Sequence, residues 1–218
     1  MVAAGDKITE FITVDPINPD EAGLMAAAKA AREGALVVFP TDTVYGVGAS
    51  AVIPEAARDI YAAKERPADK PLILLIADPE DVYDYVTGVD DAARELMRAY
   101  WPGALTLIFK KSSAVPAEVT AGGETVGVRC PDNVVARMLI RLAGVALATT
   151  SANIADKPSP KDAEEAGAQL GGRVDFIIDG GESALGTEST VLDISTGTPE
   201  LLREGHVTWD ELKVKLAL

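Results

Sequence analysis

The chain has 218 residues, 48% of them apolar and 25% charged, which describes a globular protein and excludes disorder as its main state. Twenty Lys and Arg against thirty-four Asp and Glu give a net charge of −14, so a broad nucleic-acid or anionic-lipid surface is disfavoured. No apolar run approaches the roughly 18 to 20 residues of a membrane span, and residues 1–10 lack the basic-then-apolar order of a signal peptide, so a cytoplasmic location is expected.

In chain order, Ile8 to Val14 alternates apolar and polar as a strand does, and Pro19 opens an alanine-rich helix that ends at Gly34. Ala35 to Phe39 reads as a buried strand, Pro54 to Lys64 as a helix with Ala57, Ile60 and Tyr61 on one face, and Pro71 to Ala77 as a second buried strand. A helix over Asp90 to Tyr100 precedes strands at Leu105 to Phe109 and Thr125 to Arg129. A helix over Val134 to Leu142 and a strand over Val145 to Ala148 come next. The remainder reads as a helix near Asp162 to Leu170, strands at Phe176 to Ile178, Val191 to Ile194 and Leu201 to Leu202, and a terminal helix whose capping box is Thr208 with Glu211. Around eight short strands alternate with six helices, and no linker or repeat divides them. The expectation is an α/β fold in one domain over 1–218, an open mixed sheet flanked by helices, with a strand order the sequence does not give.

One cysteine, Cys130, cannot close an internal disulfide, and one histidine, His206, makes a zinc site or a His-based dyad hard to build. No metal cluster is expected. Chemistry therefore falls to Lys, Arg, Ser, Thr, Asn and backbone amides. Gly46 to Ala51 matches G-x-G-x-x-A, but no helix follows at once, so a dinucleotide site is disfavoured; no P-loop pattern occurs.

Pro40 to Gly46 puts Thr41, Asp42 and Thr43 in the turn after a buried strand, which reads equally as a ligand edge or as a turn satisfying its own backbone. Lys64, Arg66 and Lys70 crowd the end of a helix. A helix dipole accounts for one such cation, and three suit a polyphosphate better. Arg129 ends a strand, either as a ligand or paired with a structural partner such as Asp132. Cys130 reads as a packed thiol and His206 as a surface or capping residue. Thr149 to Asn153 follows a strand with five small or polar residues, and Ser151 reads as a hydrogen-bonding group rather than a nucleophile. Gly186 to Thr190 and the Arg203 segment repeat the style. Together these loops describe a site for a small polar amino acid beside a nucleoside triphosphate.

At these same residues the sequence resembles the YrdC-like family of threonylcarbamoyl-AMP synthases. The matching segments are Pro40 to Gly46, Lys64 to Pro67 with Lys70 to Leu72, Trp101 to Thr106, Val128 to Pro131, Ser151 to Asn153, Glu188 to Val191 and Leu202 to Gly205, in order over roughly Ile8 to Gly205. The resemblance implies a twisted open sheet around a concave, positively lined cavity. It implies that Thr43, Arg129, Ser151 and Ser189 contact L-threonine, and that Lys64, Arg66, Lys70, Thr125, Asn153 and Arg203 face ATP, with Ser159 and Lys161 beside them. Lys64 and Arg66 would also stabilise charge during the reaction. Leu75 stands where many longer members carry a histidine. The chain stops soon after Arg203, so the added C-terminal domain of the long form is not expected.

The implied reaction joins L-threonine with bicarbonate or carbon dioxide and then with ATP, Mg2+ being held mainly by substrate phosphates. A separate transferase complex passes the product to tRNA, which this chain itself would bind at most weakly. Two rival readings are a carbamoyl-adenylate-forming domain of hydrogenase maturation, normally part of a longer chain, and a non-catalytic double-stranded-RNA-binding module, against which the −14 charge argues.

Overall fold

The computed structural model describes residues 7–216. In chain order these form β1 (Glu10–Thr13), α1 (Glu21–Arg32), β2 (Val37–Phe39), β3 (Gly46–Ser50), α2 (Pro54–Lys64), β4 (Ile73–Leu75), α3 (Val82–Tyr85), β5 (Val86–Thr87), α4 (Asp91–Tyr100), β6 (Leu105–Lys111) and β7 (Thr125–Arg129). They continue as α5 (Val134–Ala143), β8 (Leu147–Ser151), α6 (Ala163–Leu170), β9 (Phe176–Asp179), β10 (Thr190–Asp193), β11 (Glu200–Arg203) and α7 (Trp209–Leu216). Among the described residues no helix is long and apolar enough to cross a membrane.

The helices start and stop where their caps dictate. Asp20, Asp90, Asn133 and Asp162 each accept a hydrogen bond from a backbone N–H of the first turn of α1, α4, α5 and α6, respectively. Pro54 sits in the first turn of α2, where its missing N–H costs nothing, and Gly144 ends α5 at φ +68°. Thr208 and Glu211 cap α7 reciprocally: the Thr208 N–H donates to Glu211 Oε2 at 2.8 Å and the Glu211 N–H to Thr208 Oγ1 at 3.3 Å.

All eleven strands join one mixed sheet in the order β1-β9-β2-β3-β8-β4-β7-β6-β10-β11, with β5 beside β6. Several elements depart from expectation. Gly46–Ser50, with the weak glycine pattern, is β3, antiparallel to both β2 and β8. Its glycines permit sheet packing: a Cβ on Gly48 would lie 2.7 Å from Thr149 Oγ1 and 3.2 Å from the Phe39 ring. Strand β8 runs through Thr149 and Thr150 to Ser151 instead of stopping at Ala148, because pairing with β3 supplies their backbone partners. The short α3 and β5 were not legible in the hydrophobic pattern.

Side chains alternate across the sheet, and the two faces meet different fates. Val38, Val47, Leu74, Val128, Leu107 and Leu192 point into a core shared with Ile60 of α2, Leu96 of α4, Ala166 of α6 and Leu212 of α7. On the opposite face, Phe39, Leu75, Leu147 and Ile178 lie under Leu24, Ala28 and Ala31 of α1 and Val135, Leu139 and Ile140 of α5. That helical pair covers one end of its face. The remainder, carried by β4, β7, β6, β10 and β11 with the end of β8, lines a cavity.

Candidate functional site

The cavity holds about 390 Å3, within the usual range for small-molecule sites. Its floor follows from register. Ile73 is paired with Gly127 and Gly127 with Ile108, so the three lie side by side on the open face, and Leu75 is paired with Arg129 one step along. A Cβ on Gly127 would come within 3.1 Å of both Ile73 Cγ2 and Thr106 Cγ2, so glycine keeps this floor flat. Thr125, Val191 and Leu202 widen it, while Thr43, Ser151, Ser189, Arg66, Glu188 and Arg203 form its walls.

Arg129 is buried at the polar end. Its Nε–H donates to the Gly103 carbonyl at 2.8 Å, one NH1 hydrogen to Thr43 Oγ1 at 2.8 Å, and one NH2 hydrogen to Asp42 Oδ1. The structural partner is therefore Asp42, not Asp132. A guanidinium carries five N–H donors, so these three bonds leave one hydrogen on each terminal nitrogen. Burial pushes the Arg129 group down and the Asp42 carboxylate beside it pushes it back up.

The turn before β3 serves both of its readings. Thr41 Oγ1 donates to the Val44 carbonyl at 2.7 Å and accepts from the Thr43 N–H at 3.1 Å, a Ser/Thr turn satisfying its own backbone. The same turn delivers Thr43 Oγ1 to Arg129. Ser189 Oγ lies 2.8 Å from Thr106 Oγ1, and Ser151 Oγ donates to Asn153 Oδ1. One arginine and three hydroxyls thus converge where β7, β8 and the entry to β10 approach each other.

Two more cations stand in the same walls. Arg203, on β11, donates through Nε to the Ser189 carbonyl at 3.0 Å and through NH1 to Glu188 Oε2. Arg66, just past α2, has only long contacts from NH2, 3.4 Å to the Lys70 carbonyl and 3.3 Å to that of Pro71, and its buried Nε has no partner. A half-buried guanidinium in a cavity wall, held only by long contacts, suits an oxyanion ligand.

Of the residues expected at the site, Thr43, Arg129, Ser151, Ser189, Arg66, Thr125 and Arg203 line the cavity. Lys64, Lys70, Asn153, Ser159 and Lys161 lie outside that lining. Lys64 is buried, and its amine donates to the carbonyls of Ser151 and Asn153 and to Asn153 Oδ1. Burial, with Arg66 adding to it and Glu188 opposing, pulls this amine down to about 7. Asn153 secures the following turn, donating through Nδ2 to the carbonyls of Ile154 and Lys157 at 2.9 and 2.7 Å. Ser159 Oγ donates to Glu188 Oε1 at 3.0 Å, and Lys70 and Lys161 are exposed.

Cys130 is buried and its thiol is pushed up to about 12, as befits a packed thiol; His206 is exposed. Sequence reasoning assigned no role to Gly127, whose only signal was its alternation with core residues in β7, or to Thr106, which it placed only at the end of the matching segment Trp101 to Thr106.

Residues 29–205 match the family of Sua5, YciO and YrdC, described as telomere recombination. The chain belongs to this family. The threonylcarbamoyl-AMP synthase of Bacillus subtilis (strain 168) is 44% identical over 205 residues, which are 93% of this chain and 59% of that protein. The structure of Pyrococcus abyssi Sua5 complexed with L-threonine superposes with a TM-score of 0.92 at 42% identity, covering 95% of this chain and 61% of that one. YciO of E. coli gives a TM-score of 0.85 at 29% identity and is covered over 99% of its length. The chain thus spans about three fifths of the Bacillus and Pyrococcus proteins.

Proposed function

We propose that the chain is a cytoplasmic nucleotidyltransferase that makes threonylcarbamoyl-AMP and pyrophosphate from L-threonine, bicarbonate or carbon dioxide, and ATP. The observation that carries this reading is the convergence of Arg129, Thr43, Ser151 and Ser189 at one end of the open sheet face, beside Arg66 and Arg203. Relatives named threonylcarbamoyl-AMP synthase, and a Sua5 structure holding L-threonine, support it.

In this reading the two unspent N–H groups of Arg129 hold the amino acid's carboxylate, and the hydroxyls orient its polar atoms. The flat floor of Ile73, Gly127 and Ile108, with Leu202, offers an apolar bed to a purine. Arg66 and Arg203 meet the phosphates. The threonine amine takes up carbon dioxide to give a carbamate, losing a proton. A carbamate oxygen then attacks the α-phosphorus, forming a P–O bond as the bond to the β-phosphate oxygen breaks and pyrophosphate leaves. Positioning and neutralisation of developing charge supply the catalysis, and no histidine or nucleophilic side chain is required. Magnesium supplies further neutralisation of the phosphates and would be held by phosphate oxygens and water, since the nearest carboxylates, Asp42 and Glu188, are each paired with an arginine.

The reading is favoured over a hydrogenase-maturation domain by the names its relatives carry, and over an RNA-binding module by the −14 charge. Transfer to tRNA falls to a separate transferase complex, and the chain itself binds tRNA with a dissociation constant weaker than about 10⁻⁵ M. Calorimetric titration with L-threonine tests the site directly. The wild type gives saturable heat, Arg129→Ala loses at least a hundredfold in affinity, and unchanged affinity in that variant would remove Arg129 from the site.

A further inference from the structure

Glu188 stands where the site's cations are densest. Its side chain lines the cavity, and both of its oxygens are taken: Oε1 accepts from Ser159 Oγ at 3.0 Å, and Oε2 from Arg203 NH1. Ser159 belongs to the segment between β8 and α6, and Arg203 ends β11, so one carboxylate ties the Arg203 wall of the cavity to the segment behind it. Both donors are residues that the family resemblance turns toward ATP. A carboxylate oxygen and a phosphate oxygen are the same kind of acceptor for an Arg or Ser donor. The Glu188 charge also favours the protonated forms of Lys64 and Arg66.

We infer that Glu188 is an internal counter-ion that competes with polyphosphate for Arg203 and Ser159 and thereby weakens the hold of the site on pyrophosphate. This rests on the nucleotide reading given above. The nearest other carboxylate, Asp42, lies outside the cavity lining and could not do the same. Asp42 and Arg129 retain only 8% and 4% of their side-chain exposure, so their pair is locked into the core, whereas Glu188 and Arg203 retain 39% and 45%. Glu188 can turn into water when an oxyanion arrives, and return when it leaves. The arrangement charges a cost to every bound phosphate, which suits an enzyme whose leaving group carries several negative charges and must depart before the next cycle. Partial exposure screens the pair and keeps that cost moderate.

The test is calorimetric titration of inorganic pyrophosphate, and separately of ATP, into the wild type, Glu188→Gln, Glu188→Ala and Arg203→Ala, with and without Mg2+. Thermal denaturation of each variant checks that the fold is retained. The expected result is about tenfold tighter pyrophosphate binding in both Glu188 variants, weaker binding in Arg203→Ala, and the same order without Mg2+. Wild-type binding with equal or weaker affinity in the Glu188 variants overturns the inference and leaves the nucleotide reading standing. Weakening seen only with Mg2+ overturns it in favour of a metal-ligand role. Absence of binding by all four proteins overturns the nucleotide reading and the inference with it.

Discussion

Arg129 and Asp42 form an ion pair that is almost completely withdrawn from water, and it joins the end of β7 to the turn between β2 and β3. Breaking such a pair by removing one partner leaves a buried charge without compensation, at a cost of about 3 to 5 kcal/mol. Asp42→Asn is therefore expected to lower the midpoint of urea denaturation sharply and also to weaken threonine binding, because Arg129 loses one of the contacts that aim it. Arg129→Lys should not restore binding, since an ammonium lacks the planar fork that serves Gly103, Thr43 and Asp42 while leaving two donors over. Denaturation curves and threonine titrations of both variants check this. A fully stable Asp42→Asn would show that the pair is dispensable to the fold.

Lys64 gives a pH-dependent prediction. Its folded-state value, about 7, lies below the ordinary 10.5, so between these values the unfolded chain binds the proton that the folded chain does not. Stability then rises with pH across that window. Below about 7 both states are protonated and this contribution is flat. In Lys64→Met the rise is absent. Thermal denaturation from pH 6 to 10 measures the difference between the two proteins, which should change over the upper part of the range; parallel curves would place the amine at its ordinary value.

Gly48 gives a packing prediction. An added methyl would meet Thr149 Oγ1, the Ala148 carbonyl and the Phe39 ring, and Thr149 Oγ1 is already committed to the Leu147 carbonyl at 2.9 Å. Gly48→Ala is expected to destabilise by about 1 to 3 kcal/mol. Urea unfolding reads this as a lower midpoint with unchanged slope. A neutral result would mean that β3 and β8 can separate without loss.

Much of this was legible in the chain. Helix α2 and strand β7 have the limits that their periodicity predicted, and Asp90, Asp162 and the Thr208–Glu211 box marked helix starts because capping is local chemistry. Strand β3 was not legible, because four of its five residues are Gly or Ala or Ser, and their place in the sheet depends on partners distant in sequence. The polar run Thr149 to Ser151 read as a loop for the same reason. At the site, the motif residues Thr43, Ser151, Ser189, Arg66 and Arg203 gather as one wall system. The division of labour among the cations was hidden: Lys64 turns to the carbonyls of Ser151 and Asn153, while Arg66 stands in the cavity wall. Which way a side chain turns depends on tertiary neighbours, and Asp42 as the partner of Arg129 lies 87 residues away.

The central claim, synthesis of threonylcarbamoyl-AMP, is tested most directly by pyrophosphate release from ATP with each of the twenty amino acids in turn, with and without bicarbonate. The account predicts release only when L-threonine and bicarbonate are both present, with serine poorer by roughly 10- to 200-fold, the worth of one packed methyl group. Equal turnover with serine, or release without bicarbonate, would contradict it.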